Sequence, residues 1–236
     1  MTQVVRITAP KKNLDSEIFL PASKSESNRA LIINAMSNGD GLIENLSKAE
    51  DTLLLKNLLK VISDVRSDSF DRVIDCNNAG TAFRFLTAYL SLMPGTWYLT
   101  GSQRMFQRPV GPLVEVLNQL GASITYMKNV GFPPLKINGG NLEGGEAIIE
   151  PGISSQFVSA LMMIAPKMNK GLLLKWNELP VSFPYVKMTA ELMNLAGVNV
   201  NLGANYLHIP GSKYNKTVFT INKDWSSASY WYEFLA

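Results

Sequence analysis

The order of helix-like and strand-like segments repeats three times along the 236 residues of this chain. Each copy has two helical segments followed by two or three short strands, and the copies begin near Ser25, Ala79 and Ser154. Sequence identity between the copies is faint, so the repeat is one of element order. Helices that alternate with strands favour packed α/β layers, and a repeated βα unit predicts a domain built from copies of one substructure. An ordinary α/β domain without a true repeat is the alternative.

Local signals predict where several helices begin and end. Gly39, Gly121 and Gly197 each follow a segment with helical spacing of apolar residues, and glycine is a good C-terminal stop. Ser47 and Glu50 fit the capping box that opens many helices.

The composition allows a real core and argues against several kinds of site. Hydrophobic residues make up 46% of the chain and charged residues 17%, so the chain can bury a core and is not disordered. Cys76 is the single cysteine, so no internal disulfide can form. His208 is the single histidine and has no motif around it, which argues against a zinc site and against a Ser-His-Asp mechanism. We therefore expect no metal.

Charge and apolar runs set the expected location and partners. The segment MTQVVRITAP lacks a basic region followed by an apolar core, so it does not predict a signal peptide. No apolar run approaches the roughly 20 residues that span a bilayer, and a net charge of +3 is too small to indicate nucleic acid binding. We expect a cytoplasmic protein with no membrane or nucleic acid partner.

The first helix of each repeat begins in a polar segment. These segments read SKSESNR, NAGTAFR and SSQF. Helix N-termini carry unpaired N–H groups and partial positive charge, so they suit phosphate and carboxylate. Ser, Thr and Asn are also the preferred helix caps, and simple capping is the alternative. Three such starts in corresponding positions favour a shared anion site.

A further basic segment, LTGSQRMFQRPVGPL, carries Arg104 and Arg108 at i, i+4 spacing. Arginine suits bidentate recognition of carboxylate and phosphate. A solvated arginine pair is the alternative.

Five longer segments resemble successive motifs of the 5-enolpyruvylshikimate-3-phosphate synthase family, in the family's order. They are LPASKSESNRALIINAMSNG, NNAGTAFRFLTAYL, LTGSQRMFQRPVGPLVEVLNQLGA, ISSQFVSALMMIAP and LPVSFPYVKMTAELMNLAG. The final INKDWSSASYWYEFLA is similar to the family's Asp-x-Ser-Ser-Ala-Ser-Tyr segment.

This resemblance implies an enzyme that joins phosphoenolpyruvate to the 5-hydroxyl of shikimate 3-phosphate and releases phosphate, with no metal or organic cofactor. Its fold is α/β, with two domains of three βαβαββ units each and the active site between them. Residues 16–220 would form one three-repeat domain, while residues 1–15 and 221–236 would belong with the other. A monomer with small-molecule substrates is expected.

The resemblance also assigns residues to the two substrates. Shikimate 3-phosphate would be bound by Lys24, Ser25, Arg29, Ser154, Ser155, Gln156, Ser182 and Tyr185. Phosphoenolpyruvate would be bound by Lys24, Gly80, Arg108 and Gln156. Arg29 would pair with the shikimate carboxylate, and Tyr185 would pack on the ring. The 3-phosphate would be held by Ser154, Ser155 and Ser182. Lys24 is the catalytic candidate.

Three features depart from the family pattern. Asn77 stands where the family has glycine, and asparagine tolerates positive φ next best. Lys187 stands where the family often has aspartate. The chain stops at Ala236, before the family's catalytic Asp and Glu, so we expect a fragment that holds the shikimate 3-phosphate half-site and is inactive alone.

Three other functions stay open on the sequence. The sister enzyme that acts on UDP-N-acetylglucosamine typically has a cysteine in the loop that reads GSQRMFQR here. RNA 3′-phosphate cyclases share related architecture but use a catalytic histidine. A non-catalytic anion-binding module is the third.

Overall fold

The structure, a computed structural model, describes residues 17–39, 41–64, 72–150 and 152–235. Within these ranges the α-helices are Lys24–Met36 (α1), Glu50–Asp64 (α2), Gly80–Leu92 (α3), Gly111–Gln119 (α4), Ser155–Ile164 (α5), Pro184–Leu195 (α6) and Trp225–Leu235 (α7). The strands are Leu42–Glu44 (β1), Arg72–Asp75 (β2), Gly95–Thr100 (β3), Ser123–Tyr126 (β4), Leu135–Gly139 (β5), Gly145–Ile148 (β6), Leu172–Lys175 (β7), Asn201–Leu202 (β8), Tyr206–Ile209 (β9) and Val218–Thr220 (β10). The predicted first strand, within residues 1–15, lies outside the described residues.

Two four-stranded sheets have the same topology. Their strand orders are β2-β3-β5-β4 and β6-β7-β9-β8. In each sheet the first two strands are parallel and the remaining pairs are antiparallel. Helices α3 and α4 flank β3, and helices α5 and α6 flank β7 in the same way. Both units are therefore βαβαββ, and the predicted repeat is confirmed for these two copies.

The remaining copy is assembled from distant parts of the described chain. Strand β1 lies between α1 and α2 and pairs in parallel with β10, with Leu42 opposite Val218. An isolated antiparallel bridge joins Ala22 to Lys223 beside this pair. The α/β class and the repeat order are confirmed, while the domain boundaries after residues 15 and 220 stay predictions.

The first helices of the three copies meet in the middle of the fold. Helix α1 contacts α3 and α5, and α3 packs against α5. Every residue from 26 to 33 of α1 is buried, including Ser27, Asn28 and Arg29. A helical segment that is buried on all sides has no solvent face, so Ser27, Asn28 and Arg29 point into the interior. This packing brings the beginnings of the three helices close together.

The predicted helix stops are confirmed. Asn38 and Gly39 follow α1 with φ of 72° and 77°, and Gly121 and Gly197 follow α4 and α6 with φ of 103° and 83°. These are left-handed conformations, which glycine and asparagine adopt at least cost.

The predicted capping box at Ser47 is wrong. Helix α2 begins at Glu50, and the Ser47 hydroxyl accepts from the Ala49 N–H at 3.3 Å, before the helix starts. The Ser47 N–H donates to the Ser27 hydroxyl at 3.0 Å. A tertiary contact with α1 has placed this serine outside the cap position.

The longest described helix, α2, has 15 residues, and none of the described helices is long and apolar enough to cross a membrane. The described ranges also hold no cluster of three or more His, Cys, Asp and Glu side chains that could bind a metal ion.

Candidate anion-binding site

A polar cavity of about 480 Å³ gathers all eight residues predicted for shikimate 3-phosphate. These residues are Lys24, Ser25, Arg29, Ser154, Ser155, Gln156, Ser182 and Tyr185. Thr81, Asp224, Ser226, Ser227 and Tyr230 complete the lining. The sequence interpretation quoted the segments that hold these five residues but assigned them no role. Their side chains reach the cavity only because separate helices converge there.

Five helices contribute to the cavity from their N-terminal ends. Residues from the beginning of α1, α3, α5, α6 and α7 line it. Each helix N-terminus carries roughly half a positive charge on its unpaired N–H groups. Gathering five such ends around one cavity produces a positive potential that favours an anion.

Capping and ligand binding are both compatible with the polar helix starts. Ser23 caps α1, its hydroxyl accepting from the Glu26 N–H at 3.3 Å, while the next residue, Lys24, lines the cavity. Ser154 caps α5 through the Gln156 N–H at 3.3 Å and lines the cavity as well. Capping alone therefore explains the serine at position 23. At position 154 it explains only part of the serine's role, because Ser154 also lines the cavity.

Arg29 supplies a buried cation at this cavity. Its side chain reaches the lining although the residue is only 2% exposed. The Nε–H donates to Thr189 Oγ1 at 2.7 Å, Nη2 donates to Ser159 Oγ at 3.0 Å, and Nη1 donates to the Ser25 carbonyl oxygen at 2.9 Å. All three partners are neutral. Of the five N–H donors of a guanidinium, these contacts use three.

Two aromatic rings lie close to the Arg29 guanidinium. Its Cζ lies 5.4 Å from the centre of the Phe85 ring and 5.5 Å from that of Tyr185. Burial lowers the pKa of Arg29 to about 10, so the group is charged at neutral pH. Among the described residues no carboxylate forms an ion pair with it. A buried charge without a counter-ion is costly, and a bound anion would supply that counter-ion.

Lys24 is more exposed and already has a partner. Its Nζ lies 3.4 Å from Asp51 Oδ2, with the two side chains 46% and 33% exposed. A surface pair of this kind contributes about 0–1 kcal/mol, so Lys24 can exchange it for a ligand at little cost. Asp224 is the one carboxylate in the lining, and its oxygens accept from the Ser226 N–H and the Ser227 hydroxyl.

The structure does not place Gly80 and Arg108 in the lining of this cavity. They form a second cluster beside Thr81, in which Arg108 Nη1 donates to the Asn78 carbonyl oxygen at 3.2 Å. A Cβ built on Gly80 would lie 2.1 Å from the same Nη1. Gly80 and Arg108, two of the four residues predicted for phosphoenolpyruvate, are therefore in contact with each other at the start of α3.

Two non-glycine residues near the site adopt left-handed backbone conformations. Asn77 has φ of 44° and Ser182 has φ of 59°. Position 77 therefore has the positive φ that asparagine tolerates next best after glycine. Ser182 is held beside Ser154 because Val181 pairs with Ser154 in an isolated parallel bridge. Strained backbone of this kind clusters at ligand sites.

The fold and the cavity together define a class of α/β domain in which repeated βαβαββ units gather helix N-termini around a buried arginine. A family model described as EPSP synthase (3-phosphoshikimate 1-carboxyvinyltransferase) matches residues 8–235. The chain belongs to this family.

The names of similar curated proteins agree with this assignment. A 3-phosphoshikimate 1-carboxyvinyltransferase of Bacteroides fragilis is 44% identical over 231 residues, covering 98% of this chain and 54% of the relative. The enzyme of the same name from a Sulfurovum species is 40% identical, covering 94% of this chain and 57% of the relative. The chain spans about half the length of these relatives.

The fold has a close counterpart among solved structures. EPSP synthase from Acinetobacter baumannii superposes with a TM-score of 0.77 at 21% identity, covering 90% of this chain and 51% of that chain. At this identity the likeness concerns the fold.

Proposed function

We propose that this chain binds shikimate 3-phosphate in the 480 Å³ cavity, as the half of an enzyme that joins phosphoenolpyruvate to the 5-hydroxyl and releases phosphate. The observation that carries the proposal is Arg29, a buried guanidinium with neutral partners only, at a cavity surrounded by helix N-termini. A ligand with two anionic groups suits this arrangement. The relatives' names support this reaction over the UDP-N-acetylglucosamine alternative.

The phosphate would lie at the beginning of α5 and α6. Ser154 and Ser155 line the cavity at the beginning of α5, where their hydroxyl groups can donate to a phosphate, and Ser182 lies beside them next to the bridge described above. Charge-assisted hydrogen bonds to phosphate are about twice as strong as neutral ones. The carboxylate would lie at Arg29, and the ring against Tyr185.

Phosphoenolpyruvate would lie on the other side of Lys24, toward Gly80 and Arg108, with Gln156 between the two ligands. The reaction requires proton transfer at the enolpyruvyl methylene and at the 5-hydroxyl, and the groups responsible must lie within hydrogen-bond reach of those atoms. Lys24 is the candidate on this chain. Because the chain spans about half the length of its relatives, we expect it to bind ligand without turnover by itself. We also expect it to be a monomer and to be cytoplasmic.

Isothermal titration calorimetry of the chain with shikimate 3-phosphate tests the proposal. We expect saturable binding at millimolar ligand or below, weakened by inorganic phosphate, and no phosphate release when phosphoenolpyruvate is added. Absence of binding at millimolar ligand would contradict the proposed site. Turnover at the rate of a two-domain relative would contradict the expected inactivity.

A matched pair of lysine variants identifies where the ligand binds. Lys24→Met removes a cation from the cavity, and Lys175→Met removes a cation in an equally exposed pair, since the Lys175 side chain is 45% exposed and bonds Glu146 at 2.6 Å. We expect Lys24→Met to weaken binding about tenfold and Lys175→Met to leave it unchanged. Equal effects would mean that only net charge matters.

A further inference from the structure

Arg84, which the sequence interpretation left without a role, joins three parts of the fold: the beginning of α3, the beginning of α5 and the segment before α4. One turn into α3, its Nη1 donates to the Gly80 carbonyl oxygen at 3.2 Å and to Gln156 Oε1 at 3.1 Å. Its Nη2 donates to the Pro109 carbonyl oxygen at 3.3 Å. The contact with Gln156 connects α3 to the first turn of α5, 72 residues away along the chain.

The contact with Gln156 has a chemical consequence for the cavity. A carboxamide has an oxygen end that only accepts and an NH₂ end that only donates, while a guanidinium only donates. Arg84 can therefore hold the Gln156 side chain in one of its two orientations, with Oε1 toward the guanidinium. The NH₂ group is then the end that remains for a ligand, and Gln156 lines the cavity.

We propose that Arg84 is a positioning residue that fixes the Gln156 carboxamide so that its NH₂ group is presented to the anionic ligand. This inference rests on the proposed function, which supplies the anion, and it gives Gln156 a defined polarity. With the opposite orientation the same side chain would place an acceptor against phosphate or carboxylate oxygens, and the contact would be repulsive.

The surroundings of Arg84 hold it in place for this role. Its Cζ lies 5.3 Å from the centre of the Phe157 ring, so the guanidinium contacts two successive residues of α5. Burial and the nearby charge of Arg108 lower its pKa to about 10, which leaves it protonated at neutral pH. No carboxylate in the described part of the chain forms an ion pair with it, so the oxygen of Gln156 has no anionic competitor.

Direct ligand binding by Arg84 is the alternative, and the geometry opposes it. Arg84 is absent from the lining of the 480 Å³ cavity and lines a different cavity, of about 540 Å³, with Pro109 and Phe157. Gln156, unlike Arg84, lines the cavity proposed for the ligand. Arg84 therefore acts through Gln156.

A double-mutant cycle on the full chain tests this dependence, with shikimate 3-phosphate affinity from calorimetry as the first readout. We expect Arg84→Met and Gln156→Met each to weaken binding about tenfold and the double variant to be no weaker than Gln156→Met. Arg84→Lys, which keeps the charge and a donor, should recover part of the affinity. Additive losses would overturn the proposal, because Arg84 would then act independently of Gln156.

A second readout needs no ligand. In ¹H–¹⁵N spectra of the chain, we expect the side-chain NH₂ signals of Gln156 to shift in Arg84→Met and to move back toward the wild-type position in Arg84→Lys, while backbone signals keep their native dispersion. Unchanged Gln156 signals in a folded Arg84→Met variant would overturn the proposal. If the wild-type chain does not bind shikimate 3-phosphate, the proposed function fails, and this spectrum still decides whether Arg84 holds Gln156.

Discussion

The guanidinium of Arg108 occupies the space where any residue other than glycine at position 80 would place its side chain. A Cβ built on Gly80 lies 2.1 Å from Nη1 and 2.3 Å from Cζ of Arg108. The backbone of Gly80 does not adopt a positive φ, so the turn before α3 does not itself require glycine. The close approach of Arg108 is the reason for glycine here.

Gly80→Ala should displace Arg108 while the fold stays intact, because the neighbour is the end of a flexible side chain. We expect a thermal unfolding midpoint close to that of the wild-type chain and weakened phosphoenolpyruvate binding when shikimate 3-phosphate is saturating. Gly140→Ala is the matched control, since its Cβ meets nothing within 4 Å. A large loss of stability with normal binding would instead indicate that Gly80 serves the turn.

Ser182→Gly should separate ligand binding from stability. Serine at a φ of 59° is strained, and glycine relieves that strain at an entropic cost of roughly 0.5–1 kcal/mol. We expect the free energy of unfolding in urea to change by less than about 1 kcal/mol, while the affinity for shikimate 3-phosphate falls about tenfold through loss of the hydroxyl. Asn77→Gly is the control, because it relieves the backbone strain of a residue with a φ of 44° that does not line the cavity. Wild-type affinity in Ser182→Gly would remove this hydroxyl from the phosphate site.

Thr189→Val should destabilise the ligand-free chain through Arg29. The fully buried Thr189 hydroxyl accepts from Arg29 Nε at 2.7 Å, and valine would leave that donor unsatisfied at a cost of about 1–3 kcal/mol. Thr87→Val is a matched control, because Thr87 is equally buried and its hydroxyl, like that of Thr189, bonds a carbonyl oxygen one turn earlier in its helix. Denaturant unfolding of both variants measures the difference. Equal losses would mean that Thr189 contributes nothing specific to Arg29.

Cys76 offers a probe of ligand binding that requires no substitution. It is the single cysteine of the chain and is fully buried, and burial raises the pKa of its thiol, so little thiolate is present at pH 8. We expect a thiol reagent to label the native chain slowly and to label the chain unfolded in guanidinium chloride rapidly. Shikimate 3-phosphate at 100 times its dissociation constant should slow native labelling by about a hundredfold if labelling requires global opening. Rapid labelling of the native chain would contradict the packing around Cys76.

Much of the fold was predictable because its signals are local. The stops at Gly39, Gly121 and Gly197 need only the backbone conformation of a few consecutive residues, and all three are confirmed. The repeat order depends on the alternation of helical and extended spacing along the chain. The capping box at Ser47 failed because the competing contact comes from Ser27 on another helix, and nothing in the local sequence shows that contact.

The sequence by itself determined which residues are candidates for the chemistry of the site: the polar helix starts, Arg29, and the motifs that resemble the family. Only the tertiary structure decided how these residues are partnered. Arg29 meets Ser159 and Thr189 across 130 and 160 residues of chain, and Arg84 meets Gln156 across 72. The physical reason is that helix caps and turns depend on hydrogen bonds between near neighbours, whereas the polarity of a buried site depends on which helices pack together and which donors they leave facing the cavity.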